Sequence, residues 1–177
     1  MNRLAVIFVV GLTNVLITRL YATTIDFAVA DLGGNKYEYA YTVKNDSLAF
    51  DINEFTVFFA FGLYRNLSVT TPVPDWSEIT IDPDLILGNP IEGFYDALAL
   101  TSGIAPGAIA TGFSVSFDWL GAGIPVAQRF EVVDPVTLSV LDSGLTEIIP
   151  EPGTFGLLSL GLLTGIGVLR KHNGSDL

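Results

Sequence analysis

The sequence predicts an all-β fold, an antiparallel β-sandwich of immunoglobulin-like or jelly-roll type, between two apolar chain ends. Three observations predict it. Short segments with apolar residues at every second position recur along the chain, and glycine or proline stands at nearly every junction between them. Between the two ends, no stretch has the 3.6-residue period of an amphipathic helix. Seven to nine such segments suit two packed sheets, and their order stays open.

The clearest strand signals lie early in the predicted domain. Residues 24–29 alternate apolar and polar side chains, as a half-buried strand does. Residues 36–44 show the strongest alternation, with four side chains on one face: Tyr37, Tyr39, Tyr41 and Val43. Residues 52–63 are rich in phenylalanine, which predicts a long central strand covered on both faces, with Gly62 at a bulge or bend.

The later strand signals are shorter and are interrupted by proline or glycine. Strands are predicted at 67–71, 76–82, 84–87, 93–100, 111–120, 128–133 and 137–141. In the strand at 111–120, the alternation points Phe113, Val115 and Phe117 inward.

The N-terminal residues 1–22 predict a secretory signal peptide. Arg3 provides a positive start, an apolar run follows from 4 to 17, and Ala22 offers a small residue before Thr23 as a cleavage point. An uncleaved membrane anchor is the alternative interpretation.

The C-terminal end has three parts in sequence. Three residues, Pro150, Glu151 and Pro152, precede the uncharged stretch 153–169, and Arg170 and Lys171 follow it. As a helix this stretch spans about 25 Å, at the short end for a transmembrane segment. The basic pair would stop translocation and leave residues 172–177 as a cytoplasmic tail. A buried core helix is the alternative.

These three parts resemble the PEP-CTERM sorting signal; the resemblance covers residues 149–171, within a sorting segment placed at 148–171. It implies recognition by exosortase, a membrane-embedded cysteine transpeptidase, in a Gram-negative-type bacterium that makes extracellular polysaccharide. The polar tail 173–177 is longer than the arginine-rich ending of that family. More weakly, 37–44 and 117–121 with 130–135 are similar to ectodomains that accompany this signal.

Charge and composition exclude several classes of function. Of 19 acidic residues only Glu151 and Asp176 lie outside 23–149, whereas four of eight basic residues lie inside. A domain this acidic repels nucleic acid. The chain has no cysteine, and its one histidine is His172. A cysteine nucleophile, a thiolate zinc site and a Ser/His/Asp triad are therefore excluded from the predicted domain.

The remaining candidates for chemistry are carboxylates and aromatic side chains. Asp82 and Asp84 are weak candidates for calcium ligands, because calcium prefers carboxylate and carbonyl oxygens. Solvated or turn-forming acids are the alternative, and no EF-hand pattern is present. Trp76 and Trp119, with exposed tyrosines, could form a platform for sugar rings. Alternatively, Trp119 ends a core strand and packs under a loop.

The chain is therefore interpreted as a non-enzymatic, exported cell-surface or extracellular-matrix protein, with its β-sandwich at 23–147. A carbohydrate- or calcium-binding surface module is the alternative, and an uncharacterised hydrolase is a more distant one. Expected partners are the export translocon, exosortase, extracellular polysaccharide and the membrane that holds the C-terminal helix; no cofactor is expected unless calcium binds. A type I membrane-anchored form would precede the final location in the cell envelope or biofilm matrix.

Overall fold

The computed structural model describes residues 23–149, and the fold in this range is all-β. The predicted signal peptide 1–22, the transmembrane helix 153–169 and the tail 172–177 lie outside the described residues. Within 23–149 the structure contains no α-helix. The predicted all-β class is therefore confirmed for this range.

The described part contains twelve strands, most of them short. In chain order they are β1 (Thr24–Gly33), β2 (Lys36–Lys44), β3 (Glu54–Phe59), β4 (Tyr64–Val69), β5 (Trp76–Ile81), β6 (Asp84–Ile86), β7 (Asn89–Ile91), β8 (Gly93–Ala99), β9 (Ile109–Trp119), β10 (Arg129–Val133), β11 (Val140–Leu145) and β12 (Glu147–Ile148).

Two five-stranded sheets form the body of the fold. The first sheet has the order β12-β1-β2-β9-β4, and the second has the order β11-β10-β3-β8-β5. Strands β6 and β7 form a separate hairpin. Every pairing is antiparallel except that of β12 with β1, which is parallel.

The core between the sheets is aromatic, because the inward positions of β2, β3 and β9 carry large rings. The ring centroid of Tyr39 lies 4.6 Å from that of Phe117 in the same sheet. It lies 6.4 Å from that of Phe59 in the second sheet. Phe55 meets Phe113 edge to face at 5.0 Å. Such ring pairs add to the free energy of apolar burial, so they hold the two sheets together.

The buried tyrosine hydroxyls are hydrogen-bonded. The Tyr39 hydroxyl donates to the Val126 carbonyl at 2.9 Å and lies 3.2 Å from the Tyr64 hydroxyl. The Gln128 side chain accepts from the Tyr41 hydroxyl at 3.3 Å. Burial raises the pKa of Tyr39 and Tyr41 far above the ordinary value, so both stay neutral. In the described range, no buried side-chain polar atom lacks a partner.

The prediction of one long strand over 52–63 is wrong. Strand β3 ends at Phe59, a turn follows with Gly62 at a φ of 80°, and β4 then joins the other sheet. Strand β3 is central, but its side chains alternate between buried and half-buried, so only one face is covered by the core. Gly62 permits the turn because it adopts a left-handed conformation without steric cost.

The C-terminal strands also differ from the prediction. Residues 137–139 precede the strand because Asp134 accepts hydrogen bonds from the backbone N–H groups of Val136 and Thr137 and holds a turn. Strand β11 therefore begins at Val140. Strands β7 and β12 were not predicted, since each has only two or three residues and no alternation to detect.

Candidate functional site

The outer face of the second sheet carries a row of apolar side chains with a cation at one end. Phe94 of β8 pairs with Phe58 of β3 on one side and with Ile81 of β5 on the other. The Arg129 guanidinium carbon lies 3.6 Å from the centroid of the Phe58 ring, a cation–π contact. Arg129 also binds Glu131 at 2.6 Å and Glu92 at 3.0 Å.

A second row beside it carries polar side chains. Register places Asp96 of β8 opposite Thr56 of β3, and the Thr56 hydroxyl donates to the Asp96 carboxylate at 2.7 Å. Burial raises the pKa of Asp96 despite this hydrogen bond. Burial, and then the charges of Asp96 and Asp134, raise the pKa of Glu54. Neither Asp96 nor Glu54 has an ion-pair partner among residues 23–149.

These two rows form what we name the acid–aromatic patch: Glu54, Thr56, Phe58, Phe94, Asp96 and Arg129. The patch presents half-buried aromatic rings beside half-buried carboxylates, a combination that can stack on an apolar ring and accept hydrogen bonds from hydroxyl groups. The sequence shows, by alternation, which side chains of β3 and β8 point outward. It gave no signal for the patch, because the pairing of β3 with β8 is a tertiary contact across 40 residues.

Two shallow cavities lie at the ends of this sheet. One, of about 90 Å³, includes Phe58, Glu92 and Arg129 in its lining. The other, of about 280 Å³, lies between Asp51, Asp134 and Leu141. Both are smaller than the pockets of roughly 300–1,000 Å³ that enclose drug-sized ligands. We therefore place the candidate site on the open sheet face.

The two calcium candidates lie apart from this patch and have structural contacts. The Asp82 carboxylate accepts hydrogen bonds from the backbone N–H groups of Asn66 at 3.0 Å and Leu67 at 2.6 Å. Asp84 accepts one from the N–H of Leu85 at 2.7 Å. In the part of the chain that the structure describes, no three acidic or histidine side chains are grouped to hold a metal. Calcium binding stays a prediction.

The tryptophan platform is wrong, because both indoles pack into the core. Trp119 is buried, and its indole N–H donates to the Gly123 carbonyl at 3.0 Å, so it lies under the loop that follows β9. Trp76 is half-buried against Phe55 and Phe113. The expected exposed tyrosines are mostly core residues as well: Tyr39, Tyr41, Tyr64 and Tyr95 are buried.

The C-terminal end of the domain is attached to the sheet up to its last described residue. Strand β12 pairs in parallel with β1, and the Ile149 N–H donates to the Phe27 carbonyl at 2.8 Å. Ile148 and Ile149 remain exposed. The predicted sorting residues lie outside the described residues: Pro150, Glu151, Pro152, Arg170 and Lys171. Within residues 23–149, no helix is long and apolar enough to cross a membrane.

Comparison with known families identifies a sorting motif at the C-terminal end. Residues 149–171 match the PEP-CTERM protein-sorting motif, which confirms the resemblance drawn from the sequence. The motif implies an exported protein of the cell envelope, anchored in the membrane, with exosortase as the processing partner. It covers a small part of the chain and assigns nothing to the β-sandwich. No characterised protein matches the chain in sequence.

Three solved structures resemble the described domain distantly. A GH20 exo-β-N-acetylglucosaminidase from Vibrio harveyi, with N-acetylglucosamine, has a TM-score of 0.38 at 12% identity; 73% of this chain aligns with 18% of the enzyme. An inactive mutant of that enzyme gives 0.38 at 13% identity over the same shares. The chitin-binding domain of Chi18aC from Streptomyces coelicolor gives 0.35 at 22% identity, over 62% of this chain and 90% of that domain. At these TM-scores the likenesses carry no functional argument.

Proposed function

We propose that this chain is a non-enzymatic protein of the cell surface or extracellular matrix, exported with a leader at 1–22 and retained by a transmembrane helix at 153–169. Exosortase then cuts near Pro150, Glu151 and Pro152 and releases the β-sandwich. The observation that carries this proposal is the sorting motif at residues 149–171. The basic pair Arg170 and Lys171 would hold the tail in the cytoplasm until processing.

The junction between sandwich and motif supports membrane-proximal processing. Because Ile149 is hydrogen-bonded to the sheet edge, no flexible linker separates the folded domain from Pro150. Exosortase must therefore act close to the folded domain. The acidic surface of the domain disfavours contact with anionic lipid head groups, which favours departure from the membrane once the anchor is cut.

Fractionation of a host that carries exosortase tests this function. The wild-type chain should appear in the medium or outer envelope, whereas a chain with Pro150, Glu151 and Pro152 all replaced by alanine should stay in the inner-membrane fraction. A matched control replaces Ser143, outside the motif, by alanine and should be sorted like the wild type. Equal release of all three chains would contradict the proposal.

A second candidate function, carbohydrate binding, is favoured by the acid–aromatic patch. Phe58 and Phe94 offer apolar surface beside the Asp96 carboxylate, and sugars present C–H faces and hydroxyl groups together. The probe is the extracellular polysaccharide purified from the host. Retention of the exported protein should fall at least tenfold in Phe94→Ala and Asp96→Asn, and should not change in Glu38→Gln on the other sheet. Unchanged retention in both patch variants would contradict this candidate.

We also infer an immunoglobulin-like arrangement for the sandwich. The order β1-β2-β9-β4 facing β3-β10-β11 matches the A-B-E-D and C-F-G sheets of that fold. Strands β8 and β5 extend the second sheet beside β3, but the chain reaches β5 before β8. Of these two strands only β5 is at the sheet edge, since β8 pairs with both β3 and β5, and the order of the seven compared strands is unchanged.

A further inference from the structure

The backbone nitrogen of Thr23 occupies a polar site between the two sheets. Thr23 is buried, and its N–H donates to the Asp142 carboxylate on β11 at 2.8 Å, across 119 residues of sequence. The Ser47 hydroxyl donates to the same carboxylate oxygen at 3.1 Å and lies 3.2 Å from the Thr23 hydroxyl. Three segments of the chain therefore meet at one oxygen atom of Asp142.

Asp142 is a charged group without a cation in the described structure. Burial alone would raise the pKa of Asp142, but hydrogen bonds from Thr23, Ser143 and Ser47 hold it below the ordinary value. The carboxylate is therefore ionised at neutral pH. Every ion pair described within 23–149 involves other carboxylates, so the charge of Asp142 is balanced by hydrogen bonds alone. A half-buried charge of this kind gains most from an ionised donor.

We propose that Thr23 is the first residue of the mature protein and that Asp142 and Ser47 form a preformed receptor for its α-ammonium group. Leader cleavage hydrolyses the Ala22–Thr23 amide: the carbonyl carbon of Ala22 gains the hydroxyl of water and becomes a carboxylate. The Thr23 nitrogen gains the remaining proton of that water molecule and the proton released when the new carboxyl group of Ala22 ionises. An N–H hydrogen bond to Asp142 thereby becomes an ion pair that ties the start of β1 to β11.

The inference deepens the proposed export, on which it rests, because a leader is removed only from an exported chain. It adds that removal of the leader strengthens the fold. The Thr23 N–H already donates to an ionised carboxylate, and cleavage adds a positive charge on the nitrogen, so a Coulomb attraction is added to the hydrogen bond. The contact between the start of β1 and β11 would thus be stronger in the exported domain after cleavage than before it.

The test begins with the N-terminal sequence and intact mass of the chain recovered after export. The folded protein is then treated with an amine-acylating reagent at neutral pH, and acylation of Thr23 is followed by mass spectrometry with exposed Lys36 as an internal reference. A protonated, paired amine does not acylate, so Thr23 should react at least about tenfold more slowly in the wild type than in Asp142→Asn. Asp46→Asn, an exposed carboxylate next to Ser47, should react like the wild type.

Each outcome decides the inference. A start at Thr23 with protection that depends on Asp142 supports it. A start at another residue, or equal labelling of wild type and Asp142→Asn, overturns it while leaving the proposed export intact. An exported chain that retains 1–22 overturns the inference and the predicted leader cleavage together. If Asp142→Asn does not fold, labelling of the native wild type is compared with the urea-unfolded wild type, and equal rates overturn the inference.

Discussion

At the scale of single residues, the two tryptophans show how context decides between a binding surface and a core. Trp119 ends β9 at an inward position, and the following loop covers its indole with Gly121. A Cβ at Gly121 would lie under 3.0 Å from three indole atoms. The sequence offered both interpretations, because an aromatic residue at a strand end can face either way.

We predict that Gly121→Ala destabilises the fold by about 1–3 kcal/mol, because the indole must move out of its position in the core. Urea unfolding followed by tryptophan fluorescence measures this change. The neighbouring Ala122→Ser, at an exposed position, should alter stability by less than about 0.5 kcal/mol. Equal stability of Gly121→Ala and the wild type would show that the loop does not cover Trp119.

Asp96 is a carboxylate of the patch whose charge opposes folding, because burial raises its pKa. We predict that Asp96→Asn stabilises the protein at pH 7, since an amide keeps the Thr56 hydrogen bond without a half-buried charge. The folded-state pKa of Asp96 is raised above the ordinary 3.8, so the folded protein binds its proton more tightly than the unfolded chain. The advantage of Asp96→Asn should therefore shrink as pH falls through the raised pKa toward 3.8.

Urea midpoints of both chains at pH 7 and pH 4 check this prediction, with the exposed Asp46→Asn as control. A constant difference between Asp96→Asn and the wild type across this range would contradict it. A carboxylate that costs stability on an exposed sheet face is consistent with a role in binding, where function tolerates such a cost.

At the scale of elements, the alternating strands were predictable and the pairings were not. Strand β2 appears at its predicted bounds because Tyr39, Tyr41 and Val43 point inward at every second residue. The phenylalanine run at 52–63 was misleading because Phe58 faces outward and Phe61 lies in a turn. The partner of a strand depends on long-range packing, so neither the order of the sheets nor the position of β12 could be predicted.

The β6–β7 hairpin turn contains a residue that its backbone disfavours. Leu87 has a φ of 50° and is 96% exposed, followed by Gly88 at a φ of 80°. Turns of this type favour Asn-Gly. We predict that Leu87→Asn stabilises the protein by up to about 1 kcal/mol, since a left-handed conformation costs leucine roughly 1–2 kcal/mol. Thermal unfolding measures the gain.

The control for this hairpin variant is Leu100→Asn, the same change at an exposed position without a positive φ. It should give no gain in stability. If Leu87→Asn destabilises the protein more than Leu100→Asn, the hairpin geometry described here is wrong.

Strand β12 contributes through its backbone. We predict that Ile149→Pro lowers stability by about 1 kcal/mol, because it removes the N–H that donates to the Phe27 carbonyl. Hydrogen exchange at Glu147 should also become faster, as the strand loosens from β1. Ile149→Ala keeps the N–H and should retain slow exchange at residue 149. Fast exchange of the Ile149 N–H in the wild type would contradict a docked β12.

At the scale of the whole molecule, the structure places the ends of the domain on the same sheet. Thr23 enters β1, and Ile149 leaves the sheet beside it after pairing with Phe27. The sorting segment could be recognised from sequence because it depends on local hydrophobicity and charge, which need no tertiary contact, whereas the leader at 1–22 stays a prediction. The acid–aromatic patch and the Asp142 site were not readable, since each joins residues brought together by folding.

The intact mass of the protein recovered from the envelope or medium of a host with exosortase tests the central claim most directly. We expect one chain that begins at Thr23 and ends near Pro150, Glu151 and Pro152, without residues 153–177. In the same host without exosortase, the chain should keep its C-terminal segment. A recovered wild-type chain that still carries 153–177 in the presence of exosortase would contradict the account.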